Sequence, residues 1–278
     1  MISTAPMLLM LLLNSSAAPA APAAPAPPEA AAAVAAQSTA DQPNVWGAAS
    51  EPASVSGTGR EAEAIAALEK MGAYLRTLTT FAVNGVGSTE EALTTGQTIQ
   101  YPGSIDLLAV RPNRLRANVY STRKRRDFFY DGKTFTMFAP RQGFYSVIDA
   151  PPTIKELLDK ASERLGLVLP LSDLFELGTD PALTTRITTA FFISTDVVGD
   201  QVCNHFAFRQ PGVDWQLWIR DGNQPLPCKW VITGTDDPNQ LDYEMEFTWD
   251  LKPTVPQNAF TFVPPEGADR IALAAVKR

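Results

Sequence analysis

From Leu241 to Trp249 the chain alternates without an error. Leu241, Tyr243, Met245, Phe247 and Trp249 are apolar, while Asp242, Glu244, Glu246 and Thr248 are polar. Side chains of an extended strand point to opposite faces in turn, so this segment is a strand wetted on one side only. The segment before it obeys the same rule. A four-residue turn at Gln210-Pro211-Gly212-Val213 sets Arg209 opposite Asp214, Phe208 opposite Trp215, Phe206 opposite Leu217 and His205 opposite Trp218. Val202, Phe206, Phe208, Val213, Trp215, Leu217 and Ile219 then share one face, and Cys203, His205, Arg209, Asp214, Gln216, Trp218 and Arg220 share the other. An antiparallel sheet with one strongly apolar face must be covered, and the rest of the chain is read for what covers it.

The 278 residues, 45% of them hydrophobic and 9% aromatic, suffice for one large β-rich domain or two small ones. Residues 1–16 hold an eight-residue apolar run, Pro6 to Leu13, followed by small residues, which reads as an export signal although no Lys or Arg precedes it. Eight residues are too few to span a bilayer. Residues 17–57 are almost entirely Ala, Pro and Ser, with Trp46 the lone aromatic, and read as a disordered tether. The net charge of −7 favours solubility and argues against general nucleic-acid binding.

The domain is expected over 58–265, with a tail at 266–278. Thr58-Gly59-Arg60-Glu61 has capping-box spacing, and Ile65, Leu68, Met71, Gly72, Leu75 and Leu78 recur at helical intervals. Seven strands follow: Phe81–Val86, Gly96–Tyr101, Ile105–Arg111, Leu115–Tyr120, Asp127–Tyr130, Lys133–Phe138 and Phe144–Ile148, with Asp131-Gly132 as the centre of a hairpin turn. The β pattern then stops for some forty residues. Thr153 to Glu156 repeats the capping-box spacing. Ile154, Leu157, Leu158, Ala161 and Leu165 form a helical stripe, and Gly166 suits a C-terminal cap. Leu171, Leu174 and Phe175 suggest a second helix and Asp180-Pro181 a third start. These helices are expected across the apolar face. Strands resume at Thr188–Val198 and continue to Asp250, and Phe260–Val263 offers a last short one.

Several segments together resemble a family of predicted periplasmic proteins defined as a domain of unknown function, itself similar to lipoprotein-localisation carriers of the LolA/LolB type. They are Phe129-Tyr130-Asp131-Gly132-Lys133, Tyr145 through Pro151-Pro152 into Thr153-Ile154, Pro170-Leu171-Ser172-Asp173-Leu174, Cys203 to Gln210, and Asp214 to Ile219 through Pro225-Leu226-Pro227. The resemblance implies a mainly β, α+β fold. A curved antiparallel sheet forms an incomplete barrel, with an N-terminal helix and a central helical insertion over its apolar face. It implies a location in the bacterial cell envelope and brings no catalytic residues.

The chemistry-bearing residues are few. His205 is the single histidine. With Cys203 and Cys228 it supplies at most three zinc ligands at an unusual spacing, and its plainer reading is a half-buried strand residue beside Trp218. No metal, cofactor or catalytic residue is assigned. The cysteines suit a disulfide in an exported chain, but a simple meander leaves them two strand spacings, about 9 to 10 Å, apart, so the loop Asp221–Pro227 must fold over the sheet end. Gly85-Val86-Gly87 lacks the third glycine of a dinucleotide loop, and Asp236-Asp237 reads as a turn. Arg111, Arg114, Arg116, Arg123, Lys124, Arg125 and Arg126 form a basic stretch free of acids. It is either a solvated pair of strand ends or, at Arg123 to Arg126, a patch for anionic head groups or an anionic membrane surface.

Two non-enzymatic functions compete. One is an exported carrier or binding protein for a lipid, an acyl chain or a lipoprotein, with Phe206, Phe208, Trp215, Leu217, Phe247, Trp249, Leu157, Leu158 and Leu174 lining its cavity. The other is a ligand-free envelope interaction module in which the same residues form a packed core.

Overall fold

Alternating sequence becomes one open sheet. The computed structural model describes residues 59–165, 171–176, 181–236 and 238–273. The export signal, the tether, Thr58, Gly166, Pro170, Leu177, Asp180, Asp237 and the end of the tail lie outside the described residues. Twelve strands pair in the order β12-β6-β5-β4-β3-β2-β1-β11-β10-β9-β8-β7. Two meanders build it. The first comprises β1 (Thr80–Ala92), β2 (Thr98–Val110), β3 (Arg114–Ser121), β4 (Arg125–Tyr130), β5 (Thr134–Ala139) and β6 (Phe144–Asp149). The second comprises β7 (Thr189–Val198), β8 (Gln201–Gln210), β9 (Val213–Arg220), β10 (Pro227–Gly234) and β11 (Asp242–Asp250). Antiparallel pairing of β1 with β11 joins them, and the two-residue β12 (Asp269–Arg270) adds parallel to β6. The fold is mainly β and the sheet does not close into a barrel, as the sequence and the resemblance imply.

The hairpin β8–β9 has the expected register, Phe208 opposite Trp215 and Phe206 opposite Leu217. Elsewhere the strand boundaries differ. Gly96–Tyr101 and Ile105–Arg111 are not two strands, because β2 runs unbroken through Pro102-Gly103, making six strands in the first meander. Gly103 pairs with Gly87 of β1. At Gly87 an added Cβ would come within 2.7 Å of the Met245 Cα and closer still to the Glu244 carbonyl. Glycine there lets the long hairpin pass close against β11 without ending. The turn after β4 is also displaced by one residue. Gly132, at φ +91°, is its first central residue. Asp131 stands at the corner, and its carboxylate accepts from the Lys133 and Thr134 amides at 2.9 and 2.7 Å.

Four helices occur among the described residues: α1 (Ala62–Thr77), α2 (Ile154–Leu165), α3 (Asp173–Glu176) and α4 (Pro181–Arg186). Ala64, Leu68, Met71 and Leu75 of α1 are buried in the same core cluster as Ile154, Leu157, Leu158 and Ala161 of α2 and Leu174 and Phe175 of α3. The sheet contributes Phe81, Leu107, Leu115, Tyr130, Phe206, Leu217, Trp230 and Phe247, among others, to that cluster. The helices therefore cover one face, called inner below. Thr153 caps α2 through its hydroxyl, which accepts from the Glu156 amide at 3.2 Å. The first capping box does not form: Glu61 is the N-cap of α1 without a side-chain cap bond, and its carboxylate instead accepts from the Phe192 amide at 2.9 Å.

Phe260–Val263 is not a strand. It leaves a turn at 257–260 and crosses the outer face as irregular chain, where Phe262 lies 5.3, 5.2 and 5.2 Å from the rings of Phe129, Phe138 and Tyr145.

Candidate functional site on the inner face

Register fixes which side chains share the inner face. Residues directly opposite in a ladder point the same way, so Tyr130, Leu115, Ala109 and Phe81 form one row across β4, β3, β2 and β1. Phe128, Ala117, Leu107, Val83 and Trp249 form the next. Across the second meander Met245, Trp230, Leu217, Phe206 and Phe192 line up, beside Tyr243, Ile232, Trp215, Phe208 and Ala190.

The sequence-derived lining residues are brought together here, and most are sealed. Phe206, Phe208, Trp215, Leu217 and Phe247 keep 3, 3, 6, 1 and 8% of their surface, and Leu157, Leu158 and Leu174 keep 1, 5 and 1%. Phe208 stacks on Trp215 at 4.2 Å and Phe247 meets Trp230 edge-on at 4.7 Å. Only Trp249 of that set is half-buried, and its indole donates to the Pro227 carbonyl at 2.8 Å. Val202, placed with them by parity, is 51% exposed, at the start of β8 beside the β7–β8 turn.

The incompletely covered apolar surface is made by residues that strand alternation alone does not distinguish. Val119, Met137 and Ile148 of the first meander and Tyr243 and Trp249 of β11 are partly buried against the core. Polar groups stand among them. Burial raises the Asp173 carboxyl to about 6, and no cation offsets it among the described residues. The Tyr243 phenol is raised well above its ordinary value by burial and then by the charge of Asp173, and its hydroxyl lies 3.5 Å from the Met245 sulfur. Arg111 belongs to this face as well. Its guanidinium sits 6.0 Å from the Phe81 ring centre and 4.9 Å from that of Phe175. Burial lowers its pKa, and its Nε has no hydrogen-bond partner. Parity with Ile105, Leu107 and Ala109 was the signal that could have separated Arg111 from a solvated basic stretch.

That stretch is not one patch. Arg114 and Arg116 lie over the rings of Phe260 and Phe129 on the outer face. Arg123 is clamped by Glu91 at 2.7 Å and donates to the Tyr101 hydroxyl at 2.7 Å. Arg125 lies over Tyr120 and 3.6 Å from Asp127. Burial lowers both Lys124 and Arg126 from their ordinary values. Arg126 is opposite Val119, hence on the inner face at its rim, and donates to the Arg125 carbonyl and the Gln142 side chain.

On the outer face His205 stacks on Trp218 at 3.8 Å, with its Nε2 3.0 Å from the Gln216 amide oxygen and its Nδ1 3.5 Å from Asp196. Burial lowers its pKa. Cys203 and Cys228 are joined by a disulfide with Cα atoms 6.7 Å apart. The distance is shorter than the two strand spacings of a simple meander, and Cys228 is the residue at which the β9–β10 register shifts, between Pro227 and Lys229. Among the described residues no group of three His, Cys, Asp or Glu side chains is arranged to hold a metal.

A family model described as "Predicted periplasmic protein (DUF2092)" matches residues 64–274. No curated protein matches the chain. Among solved structures, the chain is similar to the lipoprotein LppX of Mycobacterium tuberculosis at 10% identity and a TM-score of 0.43, covering 69% of this chain and 97% of that one. LprF of Mycobacterium bovis matches at 14% identity and a TM-score of 0.44, over 73% and 99%. A LolA superfamily protein of Nitrosomonas europaea matches at 13% identity and a TM-score of 0.34, over 72% and 97%.

Proposed function

The chain belongs to the DUF2092 family of predicted periplasmic proteins, and from that premise we propose that it is a non-enzymatic carrier or binding protein for a lipid or lipid-modified partner of the cell envelope. One observation carries the reading. The inner face is apolar from β6 to β7, yet short helices seal only part of it, leaving Val119, Met137, Ile148, Tyr243 and Trp249 partly exposed around the sealed core. An acyl chain laid there would remove apolar surface from water at about 25 cal/mol per Å². Arg126, at the rim and without a carboxylate partner among the described residues, is the cation best placed for an anionic head group. Arg123 is already neutralised by Glu91.

Delipidated protein should bind a fluorescent fatty acid. Trp249→Ala should weaken that binding at least several-fold. Leu217→Ala, deep in the sealed region, should instead cost about 2 to 5 kcal/mol of stability and leave affinity nearly unchanged. Neutralising Arg126 should weaken an anionic lipid more than a neutral one, by a difference that shrinks with added salt. No binding of any acyl chain would overturn the reading.

A second reading has its own observation. Eight of the nine lining residues expected from the sequence keep 8% or less of their surface, as an interaction module with a packed core requires. The same titration decides between the two.

A further inference from the structure

We propose that a cavity on the outer face, between β4, β5, β6 and the segment 260–264, is a binding site for a sugar acid, a single ring carrying hydroxyls and one carboxylate. The ladder places it. Phe129 stands opposite Thr136, and Thr136 opposite Val147, so the three share one row. Their chain neighbours Phe128, Met137 and Ile148 pack into the core on the inner face, so this row faces the other way. Phe262 walls the row on one side, 5.3 Å from Phe129 and 5.2 Å from Tyr145, and β12 brings Arg270 beside Tyr145. Together they leave a cavity of about 270 Å³, partly open to solvent. That is below the roughly 300 Å³ at which sites for drug-sized ligands begin, and it suits one ring better than a long chain.

Its polar groups have bonding capacity left. Thr136 keeps 4% of its surface, yet its hydroxyl, on the cavity side of the sheet, has no hydrogen-bond partner among the described residues. Buried hydroxyls are as a rule paired, so this one points to an oxygen supplied from the cavity. Tyr145 and Thr261 add two more hydroxyls to the lining. The Asp131 carboxylate accepts from the Lys133 and Thr134 amides through Oδ1 and from the Thr134 hydroxyl, at 3.2 Å, through Oδ2. A carboxylate has about four acceptor sites, so one remains for a ligand O–H. The cation of the site is Arg270. It donates to the Val147 carbonyl at 3.4 Å and pairs with no carboxylate among the described residues. Arg116 and Arg114 add positive potential, lying 5.1 and 5.3 Å over the rings of the lining residues Phe129 and Phe260.

The occupant follows from these groups. A guanidinium without a carboxylate partner matches the two oxygens of a ligand carboxylate. A phosphate brings nearly two charges to a lining that also holds the Asp131 carboxylate, and fits less well. The lining hydroxyls and the remaining site on Asp131 call for several ligand O–H groups, which a fatty acid or benzoate lacks. Phe262 offers the flat apolar wall that the C–H face of a sugar ring can cover.

Amide chemical shifts of the full chain should move on titration with glucuronate, saturably, at Lys133, Thr134, Phe262 and Arg270. Glucose, without the carboxylate, and benzoate, without the hydroxyls, should each bind more weakly by about tenfold or more. Arg270→Gln should bring glucuronate down to the level of glucose. Thr136→Val keeps the shape and removes the hydroxyl, so it should weaken glucuronate several-fold without lowering the melting temperature. Absence of saturable shifts at those positions, glucose or benzoate binding as tightly as glucuronate, or a glucuronate affinity untouched by Thr136→Val would overturn the proposal.

Discussion

Asp173 shows how much a single residue's surroundings add to its place in the chain. In the sequence it stands beside Leu174, in the segment read as a second covering helix. In the structure its carboxyl is desolvated and held near 6 with no cation beside it among the described residues. The folded chain thus holds this proton more tightly than the unfolded chain, whose carboxyl has its ordinary value near 3.8. Below about pH 4 both states are protonated and nothing is lost. Between about pH 4 and 6 the folded state must ionise a desolvated group, so stability falls, and above that range the loss is constant. Asp173→Asn should therefore match the native chain at pH 4 and melt higher at pH 7.5. The full shift corresponds to about 3 kcal/mol, and the solvent that reaches this partly buried side chain reduces the expected gain to about 1 to 2 kcal/mol. Equal melting at pH 7.5 would refute it. Arg111 and Arg126 differ from Asp173 in this, since each is in step with inner-face neighbours in its strand and the parity that reads Phe128 and Leu107 inward reads them inward too.

At the scale of elements, legibility followed the strength of alternation. The β8–β9 register and the extent of β11 were readable because every second residue there, Asn204 apart, is large and apolar. The length of β2 was not, because Pro102-Gly103 carries the local signature of a strand end while the paired glycines at 87 and 103 let the hairpin continue. The half-sealed part of the inner face was also hidden, since a strand alternates identically whether or not a helix lies over it. The disulfide stands between these cases, with its partners legible and the register shift at Cys228 not. Its bond closes a separation of 25 residues across β8, β9 and β10. On the chain-entropy model such a loop stabilises by about 3 to 4 kcal/mol. Replacing Cys203 and Cys228 together by Ser should lower stability by that order, measured by chemical denaturation. The paired Cys203→Ser, Cys228→Ser chain should remain folded, because the ladders on either side of Cys203 and Cys228 do not depend on the bond. Loss of less than 1 kcal/mol would show that the native pairing already confines the unfolded chain little.

Across the whole molecule, sheet neighbours are chain neighbours everywhere except at β1·β11 and at β6·β12. Each meander can form by closing short loops, whereas β1 and β11 must find each other from Ala82–Thr89 to Tyr243–Asp250, with the helical insertion and both meanders between them. Closing the longest loop last is the less costly order, because local pairing has already shortened the effective separation. Met245 sits at that seam, its side chain packed over Gly85 so closely that no Cβ fits there. Leu217 sits within the second meander, between Phe206 and Trp230. Both are buried, so truncation to Ala should destabilise the chain at equilibrium in either case. The kinetics should separate them. Met245→Ala should speed unfolding while leaving the folding rate nearly unchanged, and Leu217→Ala should slow folding by a substantial fraction of its equilibrium effect. If Met245→Ala instead slows folding by its full equilibrium loss, the seam is part of the nucleus and the two meanders do not fold as separate units.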